Sequence, residues 1–151
     1  LKEKLVIASE SSILCPSNFT QLTISSYLAD QPWRDQIASF CDLYKVRRDA
    51  MLESLEEHFP ATAQWTKPGG GFYVWVTLPP EIDTTALMPK AIVAKVAYVP
   101  GTAFYADGFG SWSLRLSYCY PTPERIREGV KALGGVIKQE MASRKGFELK
   151  G

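Results

Sequence analysis

Polar and apolar residues alternate along residues 111–118, Ser-Trp-Ser-Leu-Arg-Leu-Ser-Tyr. This period of two predicts a β-strand with one apolar face and one polar face. Arg115 stands at the centre of the polar face. Its guanidinium is always charged and offers a planar fork of donors that matches a carboxylate or a phosphate. The strand alone leaves two interpretations open, a solvent-facing arginine or a ligand-binding one.

The rest of the C-terminal part also reads as strands and helices. Residues 72–78 are rich in aromatic and β-branched side chains and predict a strand, and shorter strands are predicted at 61–66 and 96–99. Helices are predicted from Thr84 or Thr85 and from Thr122-Pro123 onward, where capping residues stand. This order favours an α+β fold, in which helices cover one face of a small, mostly antiparallel sheet.

Helical periodicity dominates the N-terminal part. Residues 1–14 and 19–28 predict two short helices, separated by Cys15-Pro16. Apolar residues recur at spacings of three and four along residues 33–59 and predict one long helix. At ~1.5 Å per residue this helix would be roughly 40 Å long. Such a length favours a helix that links two parts of a protein.

Composition and charge exclude several classes of protein. Hydrophobic residues make up 46% and charged residues 22%, as in soluble globular proteins. The net charge of +1 provides no strong field for nucleic acid or an anionic membrane, and no apolar run reaches the ~20 residues of a membrane span. The 3 cysteines form no Cys-x-x-Cys pair, which predicts a reducing cytoplasm with buried or unused thiols.

Few residues offer chemistry on their own. His58 is the sole histidine, which argues against histidine metal clusters and His-activated nucleophiles, and it is predicted near a helix C-terminus. The glycines of residues 69–71 precede a strand rather than a helix, so they predict a turn instead of a phosphate loop. Lys95 has the most apolar neighbours of the lysines but is expected to reach solvent. No catalytic or metal-binding residue is predicted.

Four motifs in order carry a resemblance to a known family. They are Trp-Thr-Lys-Pro-Gly-Gly-Gly-Phe-Tyr-Val-Trp at 65–75, Val-Pro-Gly at 99–101 followed by Phe104, Leu-Arg-Leu-Ser-Tyr at 114–118, and Ile-Arg-Glu-Gly-Val at 126–130. The series resembles the C-terminal part of the class I/II, fold type I aminotransferases, which depend on pyridoxal 5'-phosphate (PLP). Its motifs are most similar to the 2-aminoadipate, kynurenine and MocR-like branch.

The resemblance implies a role for Arg115, since the corresponding arginine of the family holds the α-carboxylate of the amino-acid or 2-oxo-acid substrate. The family's Schiff-base lysine and most groups that hold PLP belong to a large domain that precedes this segment. We therefore assign no catalytic or cofactor-binding residue here. The resemblance implies PLP in the parent protein, none held by this chain alone, and an isolated chain without activity. It also implies a homodimeric parent.

The resulting predicted domain organisation has four parts. Residues 1–30 are a residual helical segment of the large domain, 31–60 the long linking helix, 61–142 the small α+β domain and 143–151 a frayed tail. Two other functions remain open: the aminotransferase-like effector domain of a MocR-type transcription regulator, and a non-enzymatic α+β module. We also expect the isolated chain to self-associate through apolar residues of its N-terminal helices.

Overall fold

The structure is a computed structural model that describes residues 1–148. It divides into two compact units, Leu1–Ser39 and Phe40–Gly151. The first unit is helical, with α1 at Lys2–Ile13 and α2 at Asn18–Asp30, which confirms both predicted short helices. The side chain of Ser17 caps α2 by accepting a hydrogen bond from the Thr20 backbone N–H. Neither helix buries a residue, and Phe19 is 80% exposed.

The long helix α3 spans Trp33–His58, as predicted to within one residue. Its buried residues are Ala50, Met51, Ser54 and Leu55, and all four belong to the second unit. Their spacing of three and four residues places them on one face of the helix. The helix ends shortly before Pro60, which has no backbone N–H to continue the hydrogen-bond ladder.

The second unit contains a sheet of four strands in the order β1-β2-β4-β3. The strands are β1 (Gln64–Trp65), β2 (Tyr73–Thr77), β3 (Val99–Pro100) and β4 (Ser113–Ser117), and every pairing is antiparallel. Helix α4 (Thr84–Val93) connects β2 to β3, a 3-10 turn (Gly101–Phe104) follows β3, and α5 (Pro123–Glu148) follows β4. The predicted α+β fold is confirmed.

The core lies on one face of this sheet. Alternate residues of the two central strands are buried there, namely Val74, Val76, Leu114 and Leu116. Helices α3, α4 and α5 supply the other side of the same cluster, for example through Leu55, Leu87, Leu133 and Ile137. Burial of these side chains provides the main stabilising term of the unit.

Three predicted boundaries were wrong. Strand β3 begins at Val99 rather than Val96, because the backbone N–H groups of Lys95 and Val96 cap the end of α4 by bonding to Ile92 and Ala91. The first predicted strand shortens to the two residues of β1. Helix α5 continues through Glu148, past the predicted start of the tail at residue 143, and residues 149–151 lie outside the described part.

None of the helices described in residues 1–148 combines the length and the apolar character needed to cross a membrane.

Candidate functional site

Arg115 lies at the centre of β4, on the face of the sheet opposite the helices. It pairs with Trp75 on β2 and with Val99 on β3, so it occupies the middle of the three strands that surround it. The neighbouring positions Leu114 and Leu116 point into the core. The predicted alternation of β4 is therefore confirmed, and Arg115 is half-buried rather than fully exposed.

Two aromatic rings contact the guanidinium of Arg115. Its Cζ lies 4.0 Å from the ring centroid of Tyr73 and 4.7 Å from that of Phe104. Trp75 packs edge-on against Phe104, with the ring centroids 5.3 Å apart. Both guanidinium contacts fall within the ~6 Å range of cation–π attraction.

No carboxylate of the described residues neutralises Arg115. None of the ion pairs found among the side chains of residues 1–144 involves it, and its Nε is buried without a hydrogen-bond partner in that range. Arg48 differs, because Asp49 Oδ1 accepts from its Nε at 2.9 Å and from its Nη2 at 2.6 Å. Arg115 thus carries a positive charge whose Nη donors can pair with an external anion, whereas its Nε is closed to solvent.

The glycine-rich turn at residues 69–71 is attached to the end of β4. The hydroxyl of Tyr118 donates to the backbone carbonyl of Gly71 at 2.9 Å. Gly71 has a φ of 83°, which side chains other than glycine rarely adopt. Arg48 Nη1 also donates to the carbonyl of Pro68 at 3.4 Å. The turn leads into β2, and this context agrees with a structural turn and not with a phosphate loop.

Hydrogen bonds join the start of α4 to residues on either side of the turn that carries Phe104. Thr84 Oγ1 lies 2.9 and 2.8 Å from the carbonyl oxygens of Ser111 and Ser113, which share its single proton. The hydroxyl of Tyr98 donates to the carbonyl of Thr84 at 2.6 Å. Burial, followed by the charge of Asp83, raises the pKa of Tyr98, so this hydroxyl remains a donor at neutral pH. Gly101 is buried, and a Cβ there would collide with the carbonyl oxygen of Gly110 and with Ser113.

The described residues do not fit a PLP site by themselves. PLP enzymes carry the cofactor on a lysine amine, which reacts when burial or a nearby cation depresses its pKa. Every lysine whose side chain is described, including Lys95, is exposed. Lys95 therefore reaches solvent as predicted, and we derive no catalytic step through PLP in this chain.

The remaining candidates occupy unremarkable positions. His58 is the last residue of α3, as predicted, with Nε2 3.7 Å from a carboxylate oxygen of Glu57. Cys15 and Cys41 are exposed and Cys119 is half-buried, so of the predicted alternatives, buried or unused thiols, burial does not hold for the first two.

Sequence analysis missed the two rings on Arg115. Tyr73 lies within a strand that is apolar throughout, so no alternation distinguished its face. Phe104 lies in a loop, and its approach to Arg115 depends on how that loop folds. The register of β2 against β4 would have been the signal for Tyr73, because it pairs with Ser117 on the polar face.

Comparison with known proteins agrees with this fold. The family model "Aminotransferase class I and II" matches residues 1–133. The chain therefore belongs to the class I and II aminotransferases. The resemblance predicted from the four motifs is confirmed.

Individual relatives are similar over most of the chain. Aromatic-amino-acid aminotransferase 1 of Thermococcus litoralis is 45% identical over 138 residues, which is 91% of this chain and 33% of that protein. The 2-aminoadipate transaminase of Thermus thermophilus is 33% identical over 140 residues, 93% of this chain and 35% of that protein. The crystal structure of the multiple substrate aminotransferase from Thermococcus profundus matches with a TM-score of 0.85 and 43% identity, covering 93% of this chain and 35% of that one.

Transcription regulators are also similar. The HTH-type transcriptional regulator YdfD of Bacillus subtilis is 33% identical over 128 residues, 85% of this chain and 26% of that protein. The chain thus spans about a third or less of the length of these relatives. The similarity therefore concerns only the matching segment of each relative and not the rest of its length.

Proposed function

We propose that this chain is part of a PLP-dependent aminotransferase that moves an amino group between an amino acid and a 2-oxo acid. In this proposal the chain supplies the group that binds the substrate carboxylate, and residues outside the chain supply the lysine. Family membership and the two aminotransferases with identities of 33% and 45% support the proposal. The predicted homodimer and the predicted cytoplasmic location stay predictions.

Arg115 is the residue that we propose for carboxylate binding. The observation that carries this role is its unpaired, half-buried guanidinium on the open face of the sheet. A carboxylate can accept two parallel N–H bonds from such a fork, and charged hydrogen bonds contribute roughly 1.5–3 kcal/mol each. Both the amino acid and the 2-oxo acid carry the same carboxylate, so one arginine can serve both half-reactions.

The experiment compares the full-length protein with its Arg115→Ala variant. Amino transfer is screened with a set of amino acids and 2-oxoglutarate, and KM is determined for both substrates. We expect KM to rise by about 100-fold for each substrate, from the loss of two charged hydrogen bonds. Absorbance of bound PLP should be unchanged, since Arg115 is not assigned to the cofactor.

The control variant is Arg125→Ala. Arg125 is an exposed arginine on α5 that pairs with Glu128 at 2.9 Å, so its removal should leave both KM values unchanged. Unaltered substrate binding in Arg115→Ala would contradict the role of Arg115. A wild-type protein that binds PLP but transfers no amino group would contradict the enzymatic proposal.

A second candidate function is the effector domain of a MocR-type transcription regulator. The identity of 33% to an HTH-type regulator favours it. The two candidates differ in two measurable properties of the full-length protein, namely steady-state amino transfer and sequence-specific binding to DNA. Binding to DNA without amino transfer would favour the regulator.

A further inference from the structure

The two rings reach Arg115 from the strands on either side of it. Tyr73 belongs to β2, and Phe104 lies in the 3-10 turn that directly follows β3, while Arg115 is on β4 between them. The rings are themselves supported, because Trp75 packs against Phe104 and Phe72 packs edge-on to Tyr73 with centroids 6.4 Å apart. The guanidinium therefore has one ring from β2 and one ring from the turn after β3 beside it.

Ring contacts and carboxylate contacts use different parts of a guanidinium. Cation–π attraction places the guanidinium charge over the face of a ring, whereas a carboxylate bonds to the N–H donors in the guanidinium plane. A ring supplies no oxygen acceptor, so restraint by rings leaves the Nη donors without an acceptor of that kind. Arg48 illustrates the alternative, since Asp49 already occupies its edge donors.

A carboxylate partner on the protein would compete with the substrate carboxylate for the same donors. The structure instead restrains Arg115 with two neutral rings and leaves it without an ion pair to any side chain of residues 1–144. An arginine side chain loses rotamer entropy when it is fixed by a ligand, and one that is already restrained loses less of it on binding. Restraint without neutralisation is the combination that favours tight binding of an external anion.

We propose that Tyr73 and Phe104 form an aromatic clamp that orients Arg115 for the substrate carboxylate. Both are positioning residues that act through Arg115, and the inference rests on the proposed role of that arginine. The clamp needs the ring of Tyr73 and not its hydroxyl, because the contact is between the guanidinium and the ring centroid. This distinction provides a conservative variant for the test.

The test measures binding of 3-phenylpropionate to the full-length, PLP-loaded protein by isothermal titration calorimetry. This carboxylate has no amino group and cannot react, and 3-phenylpropanamide serves as its uncharged counterpart. We expect Tyr73→Leu and Phe104→Leu each to weaken carboxylate binding by about three- to tenfold. Binding of the amide should be unchanged, and Tyr73→Phe should bind the carboxylate as the wild type does.

Two further variants distinguish a loss of the aromatic clamp from a nonspecific disturbance of the site. Phe109→Leu removes an aromatic ring that is 61% exposed on the same connection and should change neither affinity. Adding Tyr73→Leu to Arg115→Ala should cause no additional loss, because the ring acts through the arginine.

The outcomes discriminate between the two proposals. If Arg115→Ala weakens carboxylate binding and the ring variants do not, the clamp is wrong while the role of Arg115 stands. Equal losses for the carboxylate and the amide, or a loss that persists without Arg115, would also overturn the clamp. If wild type and Arg115→Ala bind the carboxylate equally, or neither binds it, the proposed role of Arg115 fails as well.

Discussion

The two faces of the sheet differ in how their residues are used. The face toward the helices carries Val74, Val76, Leu114 and Leu116, all of them 0–4% exposed. The opposite face carries Arg115 between aromatic rings, where Tyr73 is 42% and Phe104 is 44% exposed. The covered face contributes packing, and the open face presents a charge. Neighbouring residues on one strand thus serve stability and binding separately.

This separation explains how a charged residue can lie at the centre of a small sheet. Side chains of a strand alternate between the faces, so Arg115 can adjoin two core leucines without entering the core. If the two faces are independent, a substitution on the covered face should change stability and a substitution on the open face should change binding.

The largest effect is expected from Leu114→Ala. Leu114 is 0% exposed and adjoins Arg115 in sequence but faces the helices. Removing its buried side chain should lower the free energy of unfolding by about 2–5 kcal/mol, as measured by chemical denaturation. Arg115→Ala should lower it by only about 1–2 kcal/mol, the scale of two cation–π contacts at about 0.5–1 kcal/mol each. Comparable losses in the two variants would refute the separation of the faces.

The next effect concerns the start of β4, where both Ser113 and Leu114 are buried. Thr84→Val keeps the shape of the side chain but removes the hydroxyl that donates to the carbonyls of Ser111 and Ser113. The Ser113 carbonyl would lose this donor, while the Ser111 carbonyl would keep the Thr84 backbone N–H, and we expect a loss of about 1–3 kcal/mol in unfolding free energy. Thr85→Val is the control, since Thr85 is exposed. Equal stability of the two variants would show that this hydroxyl is dispensable.

A smaller effect is expected when residue 115 keeps its positive charge but loses the shape of the guanidinium. Arg115→Lys retains the positive charge but replaces the planar fork with a single ammonium group. Affinity for substrate carboxylate should fall by about tenfold, between the wild type and Arg115→Ala, with KM as the measurement. Full retention of affinity would mean that charge suffices and that the fork geometry has no role.

The smallest effect concerns a charge on the helical layer. Hydrogen bonds from Lys90, and then from Arg144, lower the pKa of Glu140. A carboxylate with a lowered pKa stabilises the fold above the ordinary glutamate value of about 4.3, and this contribution is lost as the pH falls through the lowered value. We expect Glu140→Gln to cost less than about 1 kcal/mol at pH 7, because solvent screens the 64% exposed Lys90.

The check on Glu140 is denaturation at several pH values. The difference between wild type and variant should be constant around neutral pH and should shrink in acid, below about pH 4. A difference that grows on acidification would contradict the assigned direction of the shift.

Much of the fold was predictable because its signals are local. The period of two in β4, the capping residues ahead of α4 and α5, and the apolar spacing of α3 each depend on nearby residues. The end of α4 was not predictable in the same way. Lys95 adopts a φ of 62° there, a conformation more often associated with glycine, so the residues after α4 resembled a longer strand.

The candidate site was likewise predictable only in part, namely where its signals are local. The alternation of residues 111–118 placed Arg115 on a polar strand face, and the order of four motifs identified the family. Only the tertiary structure decided that Arg115 is held by Tyr73 and Phe104 and lacks a carboxylate partner among the described residues. Those contacts join residues far apart in the chain, and they exist because the register of three strands brings them together, which no local pattern specifies.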